Sequence, residues 1–115
     1  LSKYIEPNEH AYSQLGTIYF TSPEMYTGCG YDNKVDIWSM GILLYYMLFG
    51  VVPFTDENNN FQKIAKKIVC SDYKLPIRDN TSADVLDLIK MCLQKHSSDR
   101  MNIVEFLNHK WFKFK

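Results

Sequence analysis

The side chains of this sequence that could do chemistry are scattered, and most fail on spacing. Cys29, Cys70 and Cys92 show no pair at metal-ligand spacing and imply no disulfide framework. His10, His96 and His109 likewise form no pair at ligand spacing, so they read as structural or exposed, and no metal site is expected. Asp36 is better placed. It stands at the mouth of a long apolar run, where a carboxylate can accept the free N–H groups of a first helical turn. On composition alone Glu24 and Arg100 would each be a surface charge, and Thr17 reads as an ordinary loop threonine.

The element that must position these residues is the run Val35–Phe49, uncharged from Ile37 onward and apolar on nearly every face. A helix hydrophobic all round is a buried helix. Gly50 suits the residue just past its end, and Pro53 prevents continuation. A membrane span is not expected, because a helix over 37–49 rises roughly 20 Å against a hydrocarbon core of about 30 Å.

Around it, Ser22 and Pro23 read as N-cap and first residue of a short helix. Phe61, Ile64, Ala65 and Ile68 recur at helical spacing opposite Lys63, Lys66 and Lys67, giving an amphipathic helix over 58–69 with a solvated lysine face. Thr81 opens a further helix, with Asp84 in a capping-box-like place and Val85, Leu86, Ile89 and Leu93 as its buried stripe. Residues 96–99 form a turn. The last helix starts at Asn102 with Glu105 at its third position, and Ile103, Phe106 and Leu107 face inward. Trp111 and Phe112 anchor its end. The expected fold is mainly α, four to five helices around a buried central helix.

The bulk composition narrows function further. Thirteen basic residues balance 13 acidic ones, which gives no electrostatic case for nucleic acid or an anionic membrane. Sparse cysteine fits a reducing compartment, intracellular and cytoplasmic, and no signal-peptide core is visible in residues 1–20.

Taken together, the segments resemble the C-terminal part of the large lobe of a eukaryotic Ser/Thr protein kinase. Gly16-Thr17-x-Tyr19-Phe20-x-Ser22-Pro23-Glu24 is similar to the end of the activation segment. Asp36-Ile37-Trp38-Ser39-x-Gly41 is similar to the start of the helix that follows, and Gly50-x-x-Pro53-Phe54 to the loop after it. Arg100 and Leu107-x-His109-x-Trp111-Phe112 resemble the C-terminal end of the domain. Among subgroups the pattern is most like the calcium/calmodulin-dependent and calcium-dependent kinases. The resemblance divides the chain into an activation-segment end, 1–25, and a helical base, 26–115.

It also implies roles. Glu24 and Arg100 would form a buried ion pair, costly to break by about 3–5 kcal/mol because the survivor is left unpaired. Asp36 would anchor the catalytic loop, and Thr17 would bridge catalytic groups. Gly16, Thr17, Ile18 and Tyr19 would form the pocket for the residue after the substrate's acceptor Ser or Thr. Ser13 matches the activation-loop phosphosite, with Tyr12 a weaker candidate; a phosphate there adds about −1.5 to −2 charges. Departures from the pattern are Ile18, Ser97-Ser98 and Lys110 where relatives often carry Pro, and Tyr46 where some carry Glu.

The sequence contains no Gly-rich phosphate loop, Val-Ala-Ile-Lys strand, His-Arg-Asp or Asp-Phe-Gly. The chain therefore carries no catalytic base, ATP lysine or magnesium ligand of its own, and Mg-ATP is implied only for a longer parent. Two readings stand: a piece of an active kinase, with a protein substrate and the rest of the kinase domain as partners, or a non-catalytic pseudokinase-like binding module. In either case an apolar surface left by missing segments would favour self-association.

Overall fold

The uncharged run becomes the long helix that its composition predicts. In the computed structural model, which describes residues 18–28, 32–76 and 81–112, six α-helices follow in chain order. They are α1 (Ile18–Phe20), α2 (Pro23–Thr27), α3 (Lys34–Phe49), α4 (Phe61–Cys70), α5 (Ala83–Cys92) and α6 (Ile103–Leu107). Two 3₁₀ turns, Ser97–Asp99 and Lys110–Phe112, complete the path, and no strand occurs among the described residues. The count exceeds the expected four or five because Ile18–Phe20 closes a single turn of its own.

The core gathers on one side of α3. Trp38, Ile42, Tyr45 and Phe49 pack with Ile64 and Ile68 of α4, Ile89 of α5 and Phe54 of the connecting loop. The Trp38 and Phe54 rings stack at 6.1 Å and 13°, and Tyr73 meets Phe54 edge-on. Ile37 joins Leu88, Cys92, Met101 and Phe106 in a second cluster that closes against α6. Gly41 is where α3 and α5 touch. A Cβ there would lie 2.6 Å from Cys92 Cβ and 2.9 Å from Leu93 Cδ2, so only glycine permits this approach. Gly50 ends α3 at φ 77°, a left-handed conformation that glycine adopts without strain.

Several expected details are corrected. The central helix is not buried all round: Met40, Leu43, Tyr46, Met47 and Leu48 are exposed, Met47 at 69%. On α6 only Phe106 is buried, while Ile103 and Leu107 face solvent. In both places the described elements pack on one side of the helix and leave the other apolar face uncovered. Helix α4 starts at Phe61 rather than 58, because Asn60 is the cap and accepts from the Lys63 N–H; Phe61 itself is exposed. On α5 the cap is Ser82, not Thr81: its hydroxyl accepts from the Asp84 and Val85 N–H groups. Ser22 precedes α2 in extended backbone, yet its side chain caps no N–H; Pro23 leaves one fewer first-turn donor to satisfy. At the start of α3 the Lys34 N–H donates to Asp32 Oδ1 at 2.8 Å. On α6, Asn102 and Glu105 close a reciprocal capping box at 2.8 and 2.9 Å.

Candidate functional site

Helix α2 exists because Pro23 presets its first turn and Gly28, at φ 82°, ends it. That short helix carries Glu24. Arg100 emerges from the 3₁₀ turn after α5, which closes through Asp99 N–H to His96 O and Arg100 N–H to Ser97 O, with no proline needed at Ser97 or Ser98. The Lys34 ammonium donates to Ser97 O at 3.0 Å and steadies the same turn from the start of α3.

These elements bring Glu24 and Arg100 together across 76 residues of sequence. The guanidinium meets the carboxylate face to face, Nη1 to Oε2 at 2.7 Å and Nη2 to Oε1 at 2.9 Å. The Arg100 side chain is fully buried and that of Glu24 is 10% exposed. Its remaining donors go to backbone carbonyls: Nε to Gln94 O at 3.0 Å, Nη1 to Lys34 O at 3.0 Å and Nη2 to Lys95 O at 3.3 Å. A guanidinium has five N–H groups, and every one has an acceptor here. The cation also lies over the Trp38 ring, 5.2 Å from its centroid. One side chain thus ties α2, the first turn of α3 and the segment after α5 into a single unit.

The electrostatics follow from that geometry. Burial alone would raise the Glu24 pKa, but hydrogen bonds from Arg100 and from its own backbone N–H, with the Arg100 charge, outweigh burial and hold the carboxyl below its ordinary value. Nearby, Lys95 caps the C-terminus of α4 by donating to Lys67 O and Ile68 O, and its ammonium sits 4.1 Å from the centre of the Phe54 ring. Burial lowers its pKa to about 8, with Asp72 and Cys70 opposing. Nothing in the sequence singles Lys95 out, since a lone lysine beside a turn carries no periodic signal.

The other sequence-derived candidates fall as follows. Gly16, Thr17 and Ser13 lie outside the described residues. Ile18 is buried in the main core and Tyr19 is half-buried. The short turn they form is held from inside, since Tyr26 donates to Ile18 O at 2.8 Å and Ser39 donates to Phe20 O at 3.0 Å. Asp36 occupies the first turn of α3 with an exposed side chain. His109 is structural: Nδ1 accepts from the Trp111 N–H at 3.0 Å and Nε2 faces Asp87 Oδ2 at 2.8 Å. That fixes the turn in which Lys110 replaces the expected Pro. Among the described residues no group of three or more His, Cys, Asp or Glu could hold a metal, and no helix is long and apolar enough to cross a membrane. What the arrangement does is position backbone.

The family model described as "Protein kinase domain" matches residues 1–112. The chain is 39% identical over 105 residues to calcium-dependent protein kinase 3 of Plasmodium berghei, covering 90% of this chain and 18% of that relative. It is 37% identical over 103 residues to serine/threonine-protein kinase SRK2A of Arabidopsis thaliana, covering 87% and 28%. It is 40% identical over 99 residues to serine/threonine-protein kinase Aurora-2 of the same plant, covering 86% and 34%. The chain thus spans between a fifth and a third of the length of these curated relatives, and identity differs too little among them to single out a subgroup.

Proposed function

The chain belongs to the protein kinase domain family, and from that premise we propose that it is the C-terminal part of the large lobe of a Ser/Thr protein kinase. In the parent, the γ-phosphate of Mg-ATP is transferred to a protein Ser or Thr hydroxyl. Groups outside this chain hold the nucleotide and supply the catalytic base. Residues 1–25 then form the end of the activation segment, Gly16 to Tyr19 receive the substrate residue after the acceptor, and residues 26–115 form the helical base. Ser13 is a candidate phosphosite, Thr17 a supporting residue and Asp36 an anchor for the catalytic loop. An intracellular, cytoplasmic setting suits this role.

The observation that carries the proposal is the saturated Arg100–Glu24 clamp, which locks the helix opened by Ser22-Pro23-Glu24 to the base. Phosphoryl transfer is largely a matter of positioning and charge, and a protein that must hold a peptide acceptor in register needs that segment fixed. A non-catalytic binding module has no such requirement. The test is transfer of labelled γ-phosphate from Mg-ATP to a Ser/Thr peptide library by the longer polypeptide that contains this chain. Labelling on Ser or Thr is expected. A folded parent that labels no peptide would overturn the proposal in favour of the binding module.

A further inference from the structure

Both ring nitrogens of His109 are committed. Nδ1 accepts from the Trp111 N–H at 3.0 Å, and Nε2 faces Asp87 Oδ2 at 2.8 Å. A backbone N–H only donates, so Nδ1 must keep its lone pair. A carboxylate only accepts, so Nε2 must carry the proton. The two contacts together select the neutral ring with its proton on Nε2. The His109 side chain is 8% exposed, and the Asp87 side chain across from it 52%.

The bond to Trp111 holds the 3₁₀ turn Lys110–Phe112 against the end of α6. Within the same turn the Phe112 N–H donates to His109 O at 3.0 Å, and the His109 N–H donates to Phe106 O at 3.2 Å. The Phe112 ring meets Phe106 at 5.3 Å and Trp111 at 5.1 Å, and both aromatic residues of the turn pack on the cluster of Ile37, Leu88, Cys92 and Met101. Among the described residues, the charged groups on the elements around the ring are Asp84, Asp87 and Lys90 of α5, Glu105 of α6 and Lys110 of the turn itself. Lys110 lies 3.6 Å from Asp84, and Glu105 accepts from the Asn102 N–H. Helix α3 adds Ile37 and Leu44, and the Cys92 thiol beneath them is pushed by burial to about 12 and stays neutral. Asp87 is the charge that answers a proton on the ring.

We infer that His109 is a pH-sensitive latch: a second proton, taken on Nδ1, breaks its bond to Trp111 and loosens the Lys110–Phe112 turn from α5 and α6. A doubly protonated imidazole is a donor at both nitrogens. Its Nδ1–H then faces the Trp111 N–H, two donors in a space that holds them 3.0 Å apart. The cation gains from the Asp87 carboxylate on its other side, so the ring keeps that partner and the turn gives way.

The experiment uses the full parent polypeptide, with isotopically labelled nitrogen in its histidine rings and tryptophan amides. At about pH 8 the His109 ring should show its proton on Nε2, and the Trp111 amide should be protected from hydrogen exchange. Between about pH 8 and about pH 5, where ordinary histidines change charge, that protection should fall by roughly two- to tenfold, the range of one hydrogen bond, in step with the appearance of the doubly protonated ring. His109→Asn keeps an acceptor oxygen near the Nδ1 position but cannot titrate, so its Trp111 protection should stay constant over the same range. Asp87→Asn keeps an acceptor for Nε2–H without the charge, and its step should need more acid. A proton on Nδ1 at the higher pH, Trp111 protection that does not follow the ring, or an equal loss in wild type and His109→Asn would each overturn the inference. The first two readouts come from the wild type alone, so they decide it whether or not the variants fold.

Discussion

Replacing Glu24 by Gln isolates the charge of the clamp. The substitution keeps the side-chain length and one acceptor oxygen, so one of the contacts at 2.7 and 2.9 Å can survive. It removes the negative charge facing a guanidinium whose side chain is fully buried. Breaking one side of a buried pair costs about 3–5 kcal/mol, most of it for the stranded charge. The backbone carbonyls of Gln94, Lys34 and Lys95 still solvate Arg100, so the lower end, about 3 kcal/mol, is expected for Glu24→Gln. That is a large share of a typical folding free energy of roughly 5–15 kcal/mol. Urea unfolding of the wild type and the variant at neutral pH reads it directly. The pH dependence supplies a second arm. Because the folded-state pKa of Glu24 lies below its ordinary value of 4.5, the stabilisation is complete above that value and is lost as pH falls through the folded pKa. The stability difference between wild type and variant should therefore shrink on acidification below about pH 4.5. A Glu24→Gln variant within about 1 kcal/mol of wild type, or a difference that does not change with acid, would refute the reasoning and place the pair among ordinary surface bridges.

Three further outcomes follow from the packing and the caps. Gly41→Ala should cost about 1–3 kcal/mol, because α3 and α5 must separate to admit a Cβ at 2.6 Å from Cys92 Cβ; thermal unfolding checks it, and a neutral result would mean that the helices are free to part. Lys95→Met should change the pH profile: with the amine at about 8 when folded and 10.5 otherwise, the wild type gains stability relative to the variant as pH rises across that window, by roughly 1 kcal/mol after solvent screening. Parallel wild-type and variant profiles would contradict this. Asn102→Ala opens the capping box of α6 and should cost about 1 kcal/mol in a denaturant titration, whereas Asn102→Asp should cost little.

Helix α3 was legible in the sequence because an uncharged run bounded by Asp36 and Gly50 leaves few alternatives. Its exposed flank was not, because apolar periodicity says which faces can be buried and not which neighbours are there to cover them. Ile103 and Leu107 of α6 illustrate the same limit. Leu88 and Cys92 are different. With Val85 and Ile89 they fall at helical intervals of three and four, so the signal was present, and the buried stripe on α5 takes in both. The caps show how local competition is decided: Ser82 displaced Thr81 by one position and Asn60 trimmed α4, choices that depend on backbone angles that composition does not set. The partnership of Glu24 with Arg100 spans 76 residues, and no local pattern joins them. Only the family resemblance pointed to the pairing. The Tyr19–Asn59 bond and the Lys95 cap had no sequence signal at all, since each joins a single polar residue to a distant turn or helix end.

The most direct measurement compares phosphoryl transfer to a Ser/Thr peptide by the full parent polypeptide with and without Glu24→Gln, at a temperature where both are folded. The account expects the wild type to label the peptide and the variant to do so at least about tenfold less efficiently, as 1.4 kcal/mol or more of positioning is lost. Equal efficiency in the two proteins, or no labelling by a folded wild type, would contradict it.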